Sequence, residues 1–268
     1  MTDQTLLSYI PNYIAPGYDE SRLIDKISPC VKAAEDFVNI YICPAEIYAD
    51  SDELKLKIEP IVALKALSLA APLLDVTMHP NGLAVVNTES VAPASAERSA
   101  QFRRALDRML CLAIDDAVSS LETYPQWRES KPATDIWLAT VFCGCQDIAE
   151  YVNIPLDCDL MIKAIRDIQA IESVIADQFI SPELLKQLRT GDYDMEYGQA
   201  IHNFLKMLKH AIAKINVDKK YNRPELYWLV DYIRQNPKAF PQWFTSHQAK
   251  IFSPPVFRNK KASGGYFF

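Results

Sequence analysis

Only seven glycines punctuate a chain of 268 residues, and that scarcity constrains the fold more than any other feature of the sequence. Glycine is the residue that takes a backbone through positive φ without steric cost, so few left-handed turns are available here. A chain short of such turns and rich in Ala, Leu and Ile favours helices. Its length allows one large domain or two small ones, and in either case enough surface is buried on folding for stability without disulfides.

The formal net charge of -6 and the pI near 5.3 work against broad electrostatic attraction to nucleic acid. No sequence-specific nucleic-acid partner is expected. The longest apolar candidate for a membrane span, Ile61 to Leu74, is interrupted by Lys65 and ends around Pro72, so no membrane partner is expected either. The six cysteines, at 30, 43, 111, 143, 145 and 158, repeat no zinc-ribbon spacing and follow no secretory segment. They are expected to be reduced and mostly buried in a soluble, intracellular protein. Cys143 and Cys145 offer a metal two thiolates only if partners arrive from elsewhere, and no metal site is assigned.

Ser28 before Pro29 has the form of a helix start, a capping side chain followed by a residue whose missing N–H is not needed there. That helix is expected to reach about Tyr41, with Pro44 ending it. A second helix is expected from Asp52 through Pro60 to about Leu74. Pro80-Asn81-Gly82 then sits between two β-prone runs within Val76 to Val86, the pattern of a small β-hairpin with these three residues at its tip. A long helix from about Ser95 to Glu122 follows. Its angular pattern places Phe102, Leu106, Met109, Leu110, Ala113 and Ala117 on one face and Arg104, Arg108, Asp115, Ser119 and Glu122 on the other.

From Asp159 to Ile180 another stripe runs through Leu160, Ala164, Ile168, Ile171 and Ile175. Ser181-Pro182 restarts a shorter helix that Gly191 stops. Ile201, Phe204, Leu205, Leu208, Ala211, Ile212 and Ile215 make the tightest stripe of all, and Pro224 to Gln235 is one more helix. Residues 136–144 suit a strand or a buried helix equally. Tyr124-Pro125-Gln126-Trp127 is matched far along the chain by Phe240-Pro241-Gln242-Trp243, and two similar helix-exit corners account for the match without a duplication.

The last residues break the helical pattern. Phe252, Pro254-Pro255 and Phe257 lead into the basic cluster Arg258, Lys260 and Lys261, then a Gly-Gly pair and the closing Tyr266, Phe267 and Phe268, with no acidic side chain among them. Such a segment builds no core of its own, and each ring left in water forgoes roughly 1.5–3 kcal/mol of burial. The segment 252–268 is expected to be an extended C-terminal arm that a partner surface receives.

Signatures of the common enzyme classes are absent from the sequence: no Walker loop, nucleotide-binding glycine pattern, nucleophile elbow or zinc-protease motif occurs. His202 and His210 fall opposite the apolar stripe of their helix, and adjacent acids such as Asp115-Asp116 and Glu35-Asp36 point about 100° apart, as solvated faces do. A hydrolase built from Cys111 or Cys143 with a distant histidine stands as an alternative of the kind that assembles only in space. No catalytic residue, cofactor or metal ligand is assigned, and the chain is read as a non-enzyme.

Taken together, Asp75-Val76-Thr77-Met78-His79-Pro80-Asn81-Gly82, the corner Leu121-Glu122-Thr123-Tyr124-Pro125-Gln126-Trp127 and the helix carrying Ile171-Glu172 resemble an uncharacterised family from Bacteroidetes phages and prophages. The resemblance covers about Asp52 to Arg189. The Arg-rich segment of that family is missing here at Tyr151 to Met161. What the resemblance implies is a head-to-tail connector, a neck or adaptor protein rather than an enzyme. Its partners would be a portal or other neck and tail proteins, in a homo-oligomeric ring of the virion assembled in the host cytoplasm. A regulatory binding module outside any particle is the other alternative. The architecture expected is mostly α, a multi-helix bundle with one small β-hairpin: a helical body over 1–251, with 195–251 open as a subdomain, and an extended arm over 252–268.

Overall fold

The computed structural model describes residues 9, 20–74, 76–79, 82–85 and 95–253, and these are mostly helical. The chain divides into two compact units, Met1–Ala170 and Ile171–Phe268, with the division inside a helix.

In the first unit, α1 (Glu20–Tyr41), the single turn α2 (Ala45–Tyr48), α3 (Asp52–Leu74) and α4 (Ala96–Leu121) follow in order. Then come the single turn α5 (Pro125–Arg128), a π-helical turn (Ala133–Trp137), α6 (Gly144–Val152) and α7 (Cys158–Ile175), which crosses into the second unit. Between α3 and α4 the backbone of β1 (Val76–His79) pairs antiparallel with β2 (Gly82–Val85), Val76 opposite Val85 and His79 opposite Gly82. Pro80 and Asn81, expected at the tip, lie outside the described residues.

Helix α3 is the centre of this unit. Every residue from Ile61 to Leu67 is buried, so the helix is enclosed on all sides by α1, α4 and their neighbours. Lys65 is the one charge in that run. Its ammonium lies 3.2 Å from Asp159 Oδ1 at the start of α7 and 4.4 Å from the centre of the Phe37 ring on α1, so the buried cation has an anion and a π face. Pro60 stays inside the helix. The i−4 carbonyl it leaves unpartnered belongs to Leu56, a residue 66% exposed.

Several local expectations need correction. Ser28-Pro29 does not begin α1, because Pro29 lies inside the helix, where it removes one hydrogen bond while Ile27 before it and Ala34, Phe37 and Val38 after it hold the helix in the core. Helix α4 does start as read, with the Ser95 hydroxyl accepting from Arg98 N. Its buried seam, however, is Leu106, Leu110, Cys111, Ile114, Ala117, Val118 and Leu121, turned from the expected face. Phe102 and Met109 are exposed, and no residue from 96 to 105 is buried: the first turns of α4 run past its packing partners. Leu160 is likewise exposed, while Ala164, Ile168, Ile171 and Ile175 of the same stripe are buried, with Met161 and Ile165 beside them. Residues 136–144 are neither strand nor regular helix; the π-helical turn gives way to irregular backbone before α6.

Nor is Asp115 a solvated acid. Its two carboxylate oxygens accept the backbone N–H groups of Cys145, at 2.6 Å, and Gln146, at 3.0 Å, and so cap the N-terminus of α6 from across the core. Gly144 makes this approach possible. Its φ is +88°, and a Cβ there would sit 2.5 Å from Asp115 Oδ1. The neighbouring Asp116 binds Lys57 at 2.7 Å.

The second unit takes the end of α7, a π-helical turn (Ala176–Ile180), α8 (Pro182–Thr190), a 3-10 turn (Met195–Tyr197), α9 (Gly198–Asp218) and α10 (Arg223–Gln235). It closes with the short helices α11 (Pro241–Thr245) and α12 (His247–Phe252). Ser181 caps α8 through Leu184 N, and Gly191, at φ +69°, ends it. Ile201, Phe204, Leu208 and Ile212 of α9 and Leu226, Leu229, Val230 and Ile233 of α10 are buried, and Phe240 packs 4.9 Å from Phe204 between ring centres. Glu172 is wholly buried, with its Oε2 accepting from Arg189 Nε at 2.9 Å and Nη2 at 2.6 Å.

Two changes test this frame. Gly144→Ala forces alanine to positive φ and drives its methyl group into the Asp115 cap, so urea denaturation should show a loss of about 2–3 kcal/mol; a loss under about 0.5 kcal/mol means that the cap does not form. Asp107, whose Oδ1 accepts from Ser68, is held above the usual carboxylate range by burial first and by the Asp157 carboxylate second. A raised carboxyl stabilises the fold while protonated and loses that contribution as pH rises through its folded value. Asp107→Asn should therefore be more stable than the parent at pH 7, with the difference shrinking towards pH 3, as followed by thermal melts across pH. A difference that grows on acidification is the contrary result.

Candidate functional site

The C-terminus of α1 leaves carbonyls that no further turn of helix can use, and two indoles take them. Trp127 donates from Nε1 to Ile42 O at 2.8 Å, and Trp137 donates from Nε1 to Tyr41 O at 2.6 Å. Trp127 is fully buried and Trp137 nearly so. Each bond joins segments 85 and 96 residues apart in sequence and ties the stretch from α5 to the π-helical turn against the end of α1. Pro125 occupies the first position of α5, where its missing N–H is harmless, and Trp127 follows two residues on, inside the core.

An open groove of about 790 Å³ forms where the two segments meet. Asn39, Ile40, Pro44, Ala45, Glu46 and Ile47 line one side, and Gln126, Glu129, Ser130, Lys131 and Pro132 the other. Ile40 is 60% exposed there, one residue before the end of α1, and Ile42 and Cys43 just beyond it are buried. Two polar atoms in the walls, Asn39 Oδ1 and Ser130 Oγ, are withdrawn from water and have no hydrogen-bond partner. Unsatisfied buried polar atoms are costly, so a pair of them beside an apolar groove points to binding. A second recess of about 400 Å³, on the other side of Ile40 and Lys131, is lined by Tyr41, Asp135, Ile136, Ile162, Ile165, Arg166 and Gln169.

Burial, and then the Glu46 charge, push the Cys43 thiol up to about 12, so it is a neutral thiol at physiological pH. Cys145 is raised by its hydrogen bond with Cys111 and by burial, and Cys158 by burial. Cys143 is exposed while Cys145 is buried, so the two thiols on either side of Gly144 do not share an environment. Among the described residues no group of three or more His, Cys, Asp or Glu side chains could hold a metal ion, and no helix is long and apolar enough to cross a membrane.

Of the residues expected to bind a partner, Phe252 belongs to the folded body. It ends α12, and its ring stacks on Phe179 at 5.9 Å and meets Tyr227 edge-on at 5.8 Å. Phe257, Arg258, Lys260, Lys261, Tyr266, Phe267 and Phe268 lie outside the described residues, and Gly82 is the first residue of β2. His202, His210 and His247 are exposed. Sequence reasoning did not find the groove. Its one legible signal was the Tyr-Pro-Gln-Trp corner, whose buried indole holds one wall in place.

Residues 23–136 match the sequence profile of a family of unknown function (DUF6712). The matched segment runs from α1 to the π-helical turn and contains every residue that lines the larger groove. No curated protein and no solved structure matches the chain.

Proposed function

We propose that this chain is a structural protein of a phage head-to-tail junction, one copy of a connector or adaptor ring that docks on a portal or a neighbouring neck protein. The observation that carries the reading is the contrast at Phe252. Up to that ring the second unit is a packed helical body, and beyond Ser253 come fifteen residues that combine five aromatic or proline-flanked apolar anchors with three cations and no acid. Aromatic and basic side chains are the types that carry energy at protein interfaces. The first turns of α4, where no residue from 96 to 105 is buried, supply a second surface for a neighbour. The resemblance to phage head and tail gene products supplies the setting, a virion component assembled in the host cytoplasm.

Mass spectrometry of density-gradient-purified particles from an induced source culture should find this chain at the copy number of a ring component. Removing residues 254–268 should leave the thermal midpoint unchanged while abolishing incorporation into particles. A chain abundant in the lysate but absent from the particles overturns the reading, as does a truncated chain that enters particles normally.

A further inference from the structure

We infer that the groove between the end of α1 and residues 126–132 receives the C-terminal segment, residues 254–268, of a second copy of this chain. The inference rests on the ring reading for the choice of a second copy, and on the groove itself for the place.

Four observations converge. First, the groove is apolar at its floor and rim, with Ile40, Pro44, Ala45, Ile47 and Pro132, and its volume of about 790 Å³ is that of a pocket which takes several large side chains. Tyr266, Phe267 and Phe268 are three consecutive large aromatic side chains in the C-terminal segment. Second, Asn39 Oδ1 and Ser130 Oγ need partners, and an extended backbone offers N–H to the one and C=O to the other. A hydroxyl and a carboxamide each turn about χ1 to meet it.

Third, the charges are complementary. The formal charge of -6 divides into -9 for residues 1–253, with 25 basic and 34 acidic side chains, and +3 for residues 254–268, from Arg258, Lys260 and Lys261. At the groove Glu46 and Glu129 outnumber Lys131. A cationic segment is therefore drawn to the anionic body of another copy and repelled by other cationic tails, which favours body-to-tail over tail-to-tail contact. Fourth, fifteen extended residues span up to about 50 Å, enough to cross from one molecule to the next. A contact of this kind, groove on one copy and tail on the next, is head-to-tail, and repeated about an axis it closes into a ring.

The test uses the full chain with a photo-crosslinking side chain, Phe267→benzoylphenylalanine, mixed in equal parts with unmodified chain grown on heavy nitrogen. After irradiation, mass spectrometry should find residue 267 joined to peptides containing 39–47 or 126–132 of the heavy chain. Those joints should fall about tenfold when the heavy chain carries Ile40→Asp, since burying one isoleucine is worth at least that factor, and they should weaken as salt is raised. Ile40 is exposed, so this change leaves the core alone; circular dichroism melts of the variant confirm that it is folded. Joints confined to the light chain itself, joints to other surfaces of the heavy chain, or joints indifferent to Ile40→Asp each overturn the inference. Failure here is separable from failure of the phage reading: the crosslink is measured without particles, and presence in particles is measured without the crosslink.

Discussion

The first unit depends on one enclosed helix. From Ile61 to Leu67 α3 has no face left for water, which frees its neighbours to pack around it but obliges its single cation to be satisfied locally. Lys65 meets that obligation with Phe37 of α1 and Asp159 of α7, so the two helices are tied to α3 by the same ammonium. Desolvating a lysine costs several kcal/mol in isolation, and the largely exposed Asp159 returns only part of that. What the arrangement gives in exchange is register: sliding either helix by one turn strands the charge. Asp107 nearby is displaced upward by burial first and by the Asp157 and Asp159 carboxylates after it.

The second organising device is the use of tryptophan as a helix terminator's partner. In each unit a Pro-Gln-Trp turn buries an indole completely and points its N–H at a backbone carbonyl near a helix end, Ile42 in the first unit and Phe179 in the second. The local backbone repeats as well, with Trp127 N and Trp243 N each bonded at 3.1 Å to the residue before the proline, Tyr124 and Phe240, and the serine three residues beyond each tryptophan bonded back to it. Both corners solve one problem, the unpaired carbonyls of a helix that ends inside a core. Common need explains the shared sequence.

How much was legible follows from how local each determinant is. The limits of α3 at Asp52 and Leu74, the Ser95 cap, the Ser181 restart and the stop at Gly191 are set by neighbours in sequence and were read from them. The start of α1 was misread because Pro29 looks the same at a first turn as in an interior held by Ile27 and Phe37, and only packing tells the two apart. The turned face of α4 and the exposed Phe102 and Met109 depend on where α3 and α6 stop. Asp115 is the clearest case: an acid on a polar helix face becomes a cap only once Gly144 is brought against it from 29 residues away.

The groove was illegible for the same reason, carried further. Its two walls are joined by indole bonds across 85 and 96 residues, and its two unsatisfied oxygens come one from each wall. Neither Asn39 nor Ser130 is unusual in its own segment. A folded chain tolerates a buried polar atom without a partner only where other packing over-determines the position, and the two tryptophans do that here. The bonds that fix the walls therefore also hold Asn39 and Ser130 where their own hydrogen-bonding needs go unmet. When a partner supplies the missing N–H and C=O, only the two side chains turn about χ1 to meet it, and the stability given up in the free molecule is recovered in the bound one.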